Sequence, residues 1–388
     1  MKYPLLSCKP PLQSRHEAMC LELTTIPTAA GREQRVQSFM DQWLNRRKGS
    51  LKWKRDKDGN LLITSKKRSR TRPLLFTAHL DHPGFVISEI IDKRTAVAEF
   101  RGGVLDPYFK DARVEFFSSA DSQFKGTVKD LQTAEPFKRA TIQFTKNAEE
   151  LAVGDVGRWA FPKATISGRG RRRLFKTNAC DDLAAAAAAL AAFDRIRKRP
   201  GMDHVGILFT VAEEVGFVGA IGVAQSGFVP SNARLVCLEN SRASEECPIG
   251  NGPVVRVGDR LTVFNPVLTN LISECATEYA TQKTHFRWQR KLMVGGACEA
   301  TAFSAFGFES TCLCIPLGNY HNMDRIDEIK AGERPAPLGR EFVSTDDFHG
   351  LIELLEVVAH GTAKTPKSAL RERLVMLRKR NSVVFEGR

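Results

Sequence analysis

The chain lacks paired cysteine motifs and long hydrophobic runs, and each absence excludes a class of protein. Its 388 residues include nine cysteines, which are scattered along the sequence and contain no C-x-x-C pair. This pattern is not that of a disulfide framework, and it favours a reduced, cytoplasmic protein. No apolar run approaches the length of a membrane span, and the N-terminal segment MKYPLLSCKPPLQSRHEAM is too short and too interrupted by proline for a signal peptide. We therefore expect no membrane association.

Acidic residues are too few to balance the basic ones. The chain has 58 lysines and arginines against 44 aspartates and glutamates, a formal net charge of +14. The excess is concentrated in RRKGSLKWKRDK (46–57), KKRSRTR (66–72), RGRRRLFK (169–176) and RLVMLRKR (373–380). A basic surface can bind nucleic acid, but no nucleic-acid-binding motif accompanies these runs, and they lie beside predicted turns where solvated charge is expected. The sequence thus argues against nucleic-acid binding as the main role.

Strand and helix patterns alternate on both sides of a region with a different texture. Apolar runs predict buried strands at 59–65, in a segment ending near His79, and at 204–212, 233–240 and 310–318, with helical patterns between and around them. This alternation predicts an α/β fold with a mostly parallel central sheet flanked by helices. From about 90 to 167, short runs such as TAVAEF, ARVEFF and ATIQFT alternate with turn residues, which predicts a small inserted all-β barrel or sandwich. We expect an α/β domain in two parts, 1–89 and 168–388, around an inserted barrel domain, 90–167.

Two adjacent acids, Asp181 and Asp182, stand before the alanine run LAAAAAALAAF. Alanine is the best helix former and aspartate is favoured at helix starts, so the pair predicts the beginning of a helix from 182 to about 198. We expect Asp182 to act as the cap. Small alanine side chains would let this helix lie close to the sheet and hold Asp181 against it.

Acids and histidines follow the predicted strands where each one ends. His79 and Asp81 stand at the end of the strand near 79, and Glu213 and Glu214 follow the strand at 204–212. Glu239 stands at the end of the strand at 233–240, and His321 comes shortly after the strand at 310–318. Ligands in open α/β sheets gather outside the carboxyl ends of the strands, and Asp181 would join them there. Nitrogen and oxygen donors suit a metal such as Zn²⁺, and so many acids would repel one another without cations. A bridging aspartate makes room for two ions about 3.5 Å apart.

With these residues in hand, the chain resembles the tetrahedral and glutamyl aminopeptidase family of dinuclear metallopeptidases. The matching segments are AHLDHPGF, NACDDLAAAAAAL, VAEEVGFVGA, CLEN, GGACEATAF and IPLGNYHNMD, which occur in the family's order and cover most of the chain. The β-rich insertion also falls where the family carries one. The resemblance implies a zinc-peptidase-like fold and an aminopeptidase that acts on peptides.

Roles for individual residues follow from the resemblance. It implies that Asp181 bridges two divalent metal ions, with Zn²⁺ or Co²⁺ expected and Mn²⁺ as a further candidate. One ion would also bind His79 and Glu239, and the other Glu214 and His321. Glu213 would be the general base, and Asp81 would orient His79. The resemblance further implies a homo-oligomer, from a dimer to a dodecamer.

The chain departs from the family's usual pattern at several positions. His82 replaces a usual glutamate and is either a surface residue or part of the pocket, and Leu183 and Ala184 replace part of an Arg-x-Gly motif. The loop usually written GGTDA is GGACEA here. Because this loop lies near the substrate in the family, we expect Gly296, Cys298 and Glu299 to contact the substrate. Glu299 could pair with the substrate amine or replace the usual acid; the alternative is a solvated loop residue.

Two other functions fit the same residues. The metals and Glu213 could instead deacylate N-acyl amino acids or related amides. Comparing substrates that have blocked N-termini with substrates that have free N-termini would distinguish the two activities. A non-catalytic relative could keep the fold and bind an acidic partner through the basic surface. The presence of Glu213 together with five proposed metal ligands argues against this last possibility.

Overall fold

The computed structural model describes residues 10–363 and 369–385, so Cys8 and the first nine residues of the N-terminal segment discussed above lie outside it. The helices are α1 (Pro10–Leu23), α2 (Gln34–Asn45), α3 (Leu183–Ile196), α4 (Val218–Ser226), α5 (Pro266–Gln282), α6 (Glu299–Ala305), α7 (Ile326–Lys330), α8 (Thr345–Thr362) and α9 (Ala369–Arg380). The strands are β1 (Leu51–Arg55), β2 (Leu61–Ser65), β3 (Leu74–His79), β4 (Gly84–Asp92), β5 (Thr95–Arg101), β6 (Arg113–Phe117), β7 (Gln123–Gln132), β8 (Lys138–Phe144), β9 (Val156–Trp159), β10 (Thr165–Ser167), β11 (Leu174–Thr177), β12 (Val205–Thr210), β13 (Arg234–Arg242), β14 (Val254–Gly258), β15 (Gln289–Leu292), β16 (Glu309–Leu317) and β17 (Glu341–Ser344).

An eight-stranded sheet forms the centre of the molecule, in the order β1-β2-β12-β3-β13-β16-β14-β15. Its middle strands β12, β3, β13 and β16 are parallel to one another. These are four of the five apolar runs that the sequence predicts as strands. Their carboxyl ends therefore lie along one edge, as the sequence analysis requires. The predicted α/β class is confirmed.

Side chains alternate between the two faces of this sheet, and each face has its own core. Phe76, Val236 and Leu313 lie on the face that packs against α3 and α8. Leu75 and Cys237 lie on the opposite face, in a cluster with α4 and α6. Because side chains alternate with a period of two along a strand, His79 and Glu239 point to the second face.

The alanine-rich helix α3 lies within the core. Its residues from Leu183 to Ala192 are all buried, and the helix packs against α1, α8 and strand β3. Methyl side chains allow this approach on several sides at once. Asp182 stands at the N-cap position, but its side chain makes no capping hydrogen bond, so the predicted cap is wrong.

The inserted β-rich segment is a closed six-stranded barrel in the order β4-β5-β8-β7-β6-β9. Its strands run from Gly84 to Trp159, so the first one begins before the expected start at residue 90. Phe85 packs on Phe100 and on Trp159 with ring centroids 4.8 Å apart in each pair. Glycine is required at Gly157, because a Cβ there would lie 2.5 Å from the ring of Phe116. The barrel prediction is confirmed.

A second, three-stranded antiparallel sheet has the order β10-β11-β17. It places Thr177 opposite Glu341. Among the described residues, no helix is long and apolar enough to cross a membrane, and the eight described cysteines are buried and free.

Candidate metal centre

The strand-end residues come together at one edge of the sheet. His79 is the last residue of β3, Glu213 and Glu214 follow β12, and Glu239 lies in β13. Asp181 precedes α3, and His321 lies in the loop after β16. These side chains converge because parallel strands end together, as the sequence predicts.

Asp181 lies between the two histidines. Its Oδ1 is 3.4 Å from Nε2 of His79, and its Oδ2 is 3.6 Å from Nε2 of His321. Oε1 of Glu239 lies 3.7 Å from Nε2 of His79, and Oε2 of Glu214 lies 3.2 Å from Nε2 of His321. One carboxylate therefore presents one oxygen to each of two neighbouring ligand sets.

Three groups of donor atoms here could hold a metal ion, with the atoms of each group within 4.8 Å of one another. They are His79 with Asp181 and Glu239; Asp181 with Glu214 and His321; and His79 with Glu213 and Glu214. The first two are the ligand sets that the sequence analysis assigned to the two ions. Glu213 is next to them, with Oε2 3.9 Å from Nε2 of His79.

Backbone carbonyls orient both imidazole rings. Nδ1 of His79 lies 3.1 Å from the carbonyl oxygen of Asp81, and Nδ1 of His321 lies 2.7 Å from that of Gly103. The tautomer with hydrogen on Nδ1 donates to these oxygens and leaves Nε2 to face the carboxylates. This is the usual arrangement of metal-binding histidines. Gly103 follows strand β5, so the barrel contributes directly to the site.

Asp81 binds the main chain beside the site. Its Oδ1 accepts the N–H of Glu213 and its Oδ2 that of Glu214, both at 3.0 Å. Its Oδ1 also lies 3.5 Å from Nδ1 of His79. The carboxylate thus fixes the two adjacent glutamates relative to the histidine, which is more than the orienting of His79 that the sequence implied.

Two further side chains hold the residues just before Glu213. Asn60 accepts the N–H of Val211 at 3.1 Å, and the buried Glu33 accepts that of Ala212 at 3.0 Å. Ala212 has φ of +53°, a conformation that non-glycine residues rarely adopt. These hydrogen bonds hold the turn that leads into Glu213 and Glu214. Sequence reasoning missed both partners, which belong to distant elements.

The buried carboxylates shift the pKa values of one another and of the two histidines. Burial would lower the pKa of His79, but Glu213 and Asp181 raise it well above its usual value. Burial likewise opposes protonation of His321, yet Glu214 and Asp181 raise its pKa. Burial raises the pKa of Glu239, and the charge of Asp181 adds to that. The site therefore favours positive charge at its centre.

Unpartnered oxygens mark where that charge would lie. Oδ1 of Asp181 and Oε1 of Glu214 are buried with no hydrogen-bond partner in the described structure. Buried carboxylate oxygens without hydrogen-bond partners, next to imidazole nitrogens, are a suitable donor set for a borderline divalent cation. The residues present fit a metal.

The three residues that we expect to contact substrate differ in their burial. Gly296 is half-buried and has open space where a side chain would be. Cys298 is buried in the cluster beneath the sheet face, and its N–H donates to Asp259. Glu299 is 2% exposed, with Oε2 3.5 Å from Oγ1 of Thr77. Burial raises the pKa of Glu299 to about 7, so the solvated-loop alternative is wrong. Contact with substrate stays a prediction for all three.

Two residues that the sequence left open also adjoin the site. His82 is buried, with Nδ1 2.6 Å from the carbonyl oxygen of Asp181 and Nε2 3.2 Å from Oδ1 of Asn322. Both oxygens of Asp182 are buried without a hydrogen-bond partner in the described structure, and burial raises the pKa of this carboxyl well above its usual value. Asp182 is therefore part of the acidic surroundings of the site.

Comparison with known proteins agrees with this geometry. The family model for M42 glutamyl aminopeptidases matches residues 59–333, more than half of the chain. The chain belongs to the M42 glutamyl aminopeptidase family. The matched segment contains all five candidate metal ligands and Glu213. Membership in this peptidase family identifies the M42 chain as a hydrolase.

Individual relatives are distant in sequence. One from Acetivibrio thermocellus, named provisionally as an aminopeptidase, is 23% identical over 277 residues, 68% of this chain and 79% of that protein. The TET1 peptidase of Pyrococcus horikoshii has a TM-score of 0.69 at 20% identity, over 89% of this chain and 99% of that one. The aminopeptidase APDkam598 of Desulfurococcus kamchatkensis has a TM-score of 0.70 at 20% identity, over 89% and 94% of the two chains. The two structural matches show that the M42 chain has their fold.

Proposed function

We propose that this protein is a metal-dependent aminopeptidase that removes N-terminal residues from peptides. The observation that carries the proposal is the position of Asp181, whose two oxygens each face a histidine, in a member of the M42 family. Asp181 would bridge two divalent cations, Zn²⁺ or Co²⁺ by preference and Mn²⁺ as a further candidate. His79 and Glu239 would complete one site, and Glu214 and His321 the other.

The residues divide the chemistry between them. Divalent cations held there would lower the pKa of a water molecule and polarise the scissile carbonyl. Glu213 is not among the five assigned ligands, and a carboxylate oxygen of its side chain would accept the proton of the attacking water and return it to the leaving amine nitrogen. The hydrogen bonds from the Glu213 and Glu214 N–H groups to Asp81 support this division, because they fix both side chains relative to His79.

The substrate would approach from the loop that carries Gly296. We assign Gly296, Cys298 and Glu299 to the substrate side of the site, Gly296 through its open surface and the buried pair through support of the loop. The open space at Gly296 supports the first assignment.

The proposal also covers the oligomeric state, the domain division and the cellular location of the protein. We propose a homo-oligomer, as the TET1 peptidase of Pyrococcus horikoshii can assemble into a tetrahedron or a large octahedral shell. We retain the domain division 1–89, 90–167 and 168–388 and the cytoplasmic location as proposals.

Amino-acid release from matched free and N-acetylated peptides tests the function. Metal-loaded protein is expected to release the N-terminal residue from free-amine peptides and to leave acetylated ones intact. Glu213→Gln keeps the shape of the side chain but cannot accept the proton, so the rate should fall by about 10²- to 10⁴-fold while bound metal is retained. Cleavage of acetylated substrates alone would favour a deacylase, and no turnover would contradict both enzymatic functions.

A further inference from the structure

Glu341 is a fully buried carboxylate that lies outside the segment matched by the family model. It is the first residue of β17, where it pairs with Thr177 at the end of β11. The next residue, Phe342, pairs with Gly318 in the loop after β16. Glu341 is thus between the two loops that carry Asp181 and His321.

Both oxygens of Glu341 accept backbone N–H groups from these loops. Oε2 accepts from Cys180 at 2.6 Å and from Asp181 at 3.1 Å. Oε1 accepts from His321 at 2.8 Å. One side chain therefore connects the main chain of two candidate metal ligands that are far apart in sequence.

The arrangement repeats what Asp81 does on the other side of the site. Asp81 accepts the N–H groups of Glu213 and Glu214 beside His79, and Glu341 accepts those of Asp181 and His321. We infer that Glu341 is a positioning residue of the metal centre, which sets the separation of Asp181 and His321. This inference rests on the proposed metal-dependent function.

The local backbone explains why such a residue is needed. His321 has φ of +55°, a conformation that a residue with a side chain rarely adopts without support. The hydrogen bond from its N–H to Glu341 supplies that support and directs the ring at Asp181. A second connection exists through His82, which lies against the carbonyl of Asp181 and the side chain of Asn322. Loss of Glu341 should therefore loosen the site and leave the fold in place.

Glu341→Gln is the variant that tests the inference. Glutamine keeps the size of the side chain but replaces one acceptor oxygen by an amide that donates, so one of the two loops loses its acceptor. Metal-free protein is titrated with Co²⁺, and binding is followed by the visible absorption of the bound ion. We expect the affinity to fall by about 10- to 100-fold and the band shape to change, as for other residues that hold metal ligands in place.

Asp347→Asn is the matched control. Asp347 is also fully buried and accepts two backbone N–H groups, from Gly250 and Gly252, each at 2.7 Å. It lies at the start of α8, outside the candidate metal centre. This variant should lower the urea midpoint and keep the Co²⁺ affinity and spectrum of the unmodified protein.

Each outcome decides the matter. Unchanged Co²⁺ affinity and spectrum in Glu341→Gln would overturn the positioning role and leave the proposed function standing. No Co²⁺ binding by the unmodified protein would overturn both. If Glu341→Gln does not fold, Glu341→Asp takes its place, since aspartate keeps both oxygens but is one methylene too short to reach both loops. Unchanged binding by that variant would also overturn the inference.

Discussion

Single buried carboxylates determine most of the geometry around the candidate metal centre. Asp81, Glu33 and Glu341 each accept backbone N–H groups from segments that carry catalytic candidates. A buried carboxylate with several N–H donors is fixed in place, because each lost hydrogen bond would leave a buried polar group unpaired. The site is thus preorganised through the main chain as much as through its ligands.

A single residue, His16, is expected to make the folded protein less stable at acidic pH. Burial lowers its pKa to about 4 from an ordinary 6.5, and His349 and Arg195 add to the shift. The unfolded chain therefore binds this proton between those two pH values while the folded chain does not, and the free energy of unfolding falls as the pH falls. His16→Phe should remove about 2 kcal/mol of the loss between pH 7 and pH 5, measured by urea denaturation.

The exposed Ala18 in α1 provides the control for this measurement. Ala18→Gln introduces no titratable group and should keep the pH dependence of the unmodified protein. A His16→Phe variant with the same pH dependence as the unmodified protein would show that His16 does not carry the effect.

The sequence predicts the candidate ligands as well as Glu213 and Asp81, and misses Glu33, Asn60 and Glu341, which act by accepting backbone N–H groups. His79, Glu213, Glu214 and Glu239 were found because acids and histidines at strand ends form a visible pattern. Glu341 has no such pattern, since its role depends on which distant N–H groups the fold brings to it. The carbonyl of Gly103 belongs to a loop whose position only the closed barrel determines.

At the scale of secondary structure, the alanine-rich composition of helix α3 determines where Asp181 lies. Its buried alanines allow close packing on β3 and α8, and Asp181 directly precedes it. A larger side chain in this helix would push it away from the sheet, because cores are packed too densely to absorb extra methylene groups.

Ala187→Leu tests this packing. Ala187 is fully buried, so the added volume should lower the free energy of unfolding by about 1–3 kcal/mol in urea denaturation. Ala18→Leu is the matched control at an exposed position of α1, where the change should stay within about 0.5 kcal/mol. Equal losses in the two variants would mean that α3 tolerates larger side chains.

Elements with a strong apolar pattern were predicted, and several short strands were not. The four parallel strands and helix α3 lie close to their expected positions, because continuous apolar runs and alanine-rich segments are strong local signals of secondary structure. Strands β14, β15 and β17 have four or five residues each, and they pair with strands that are distant in sequence. Local sequence also fails for Asp182. Aspartate is favoured as a helix cap, but the fold buries this side chain and it makes no capping hydrogen bond.

At the scale of the whole molecule, hydrogen bonds connect the barrel to the α/β part of the chain. The carbonyl of Gly103 orients His321, and Arg158 of β9 donates to the carbonyl of Thr25, close after α1. The inserted domain therefore supports the candidate site directly. Two of the four basic runs include residues of β1 and α9, which carry none of the candidate metal ligands.

The most direct test of the central claim is metal titration with activity measured at every step. Protein stripped with a chelator should be inactive, and Zn²⁺ or Co²⁺ added back should restore release of the N-terminal residue from free-amine peptides until two ions are bound per chain. Asp181→Asn should lose both binding and activity, because it removes charge from the oxygens that face both histidines. Full activity in the metal-free protein, or no hydrolysis with two ions bound, would contradict the account.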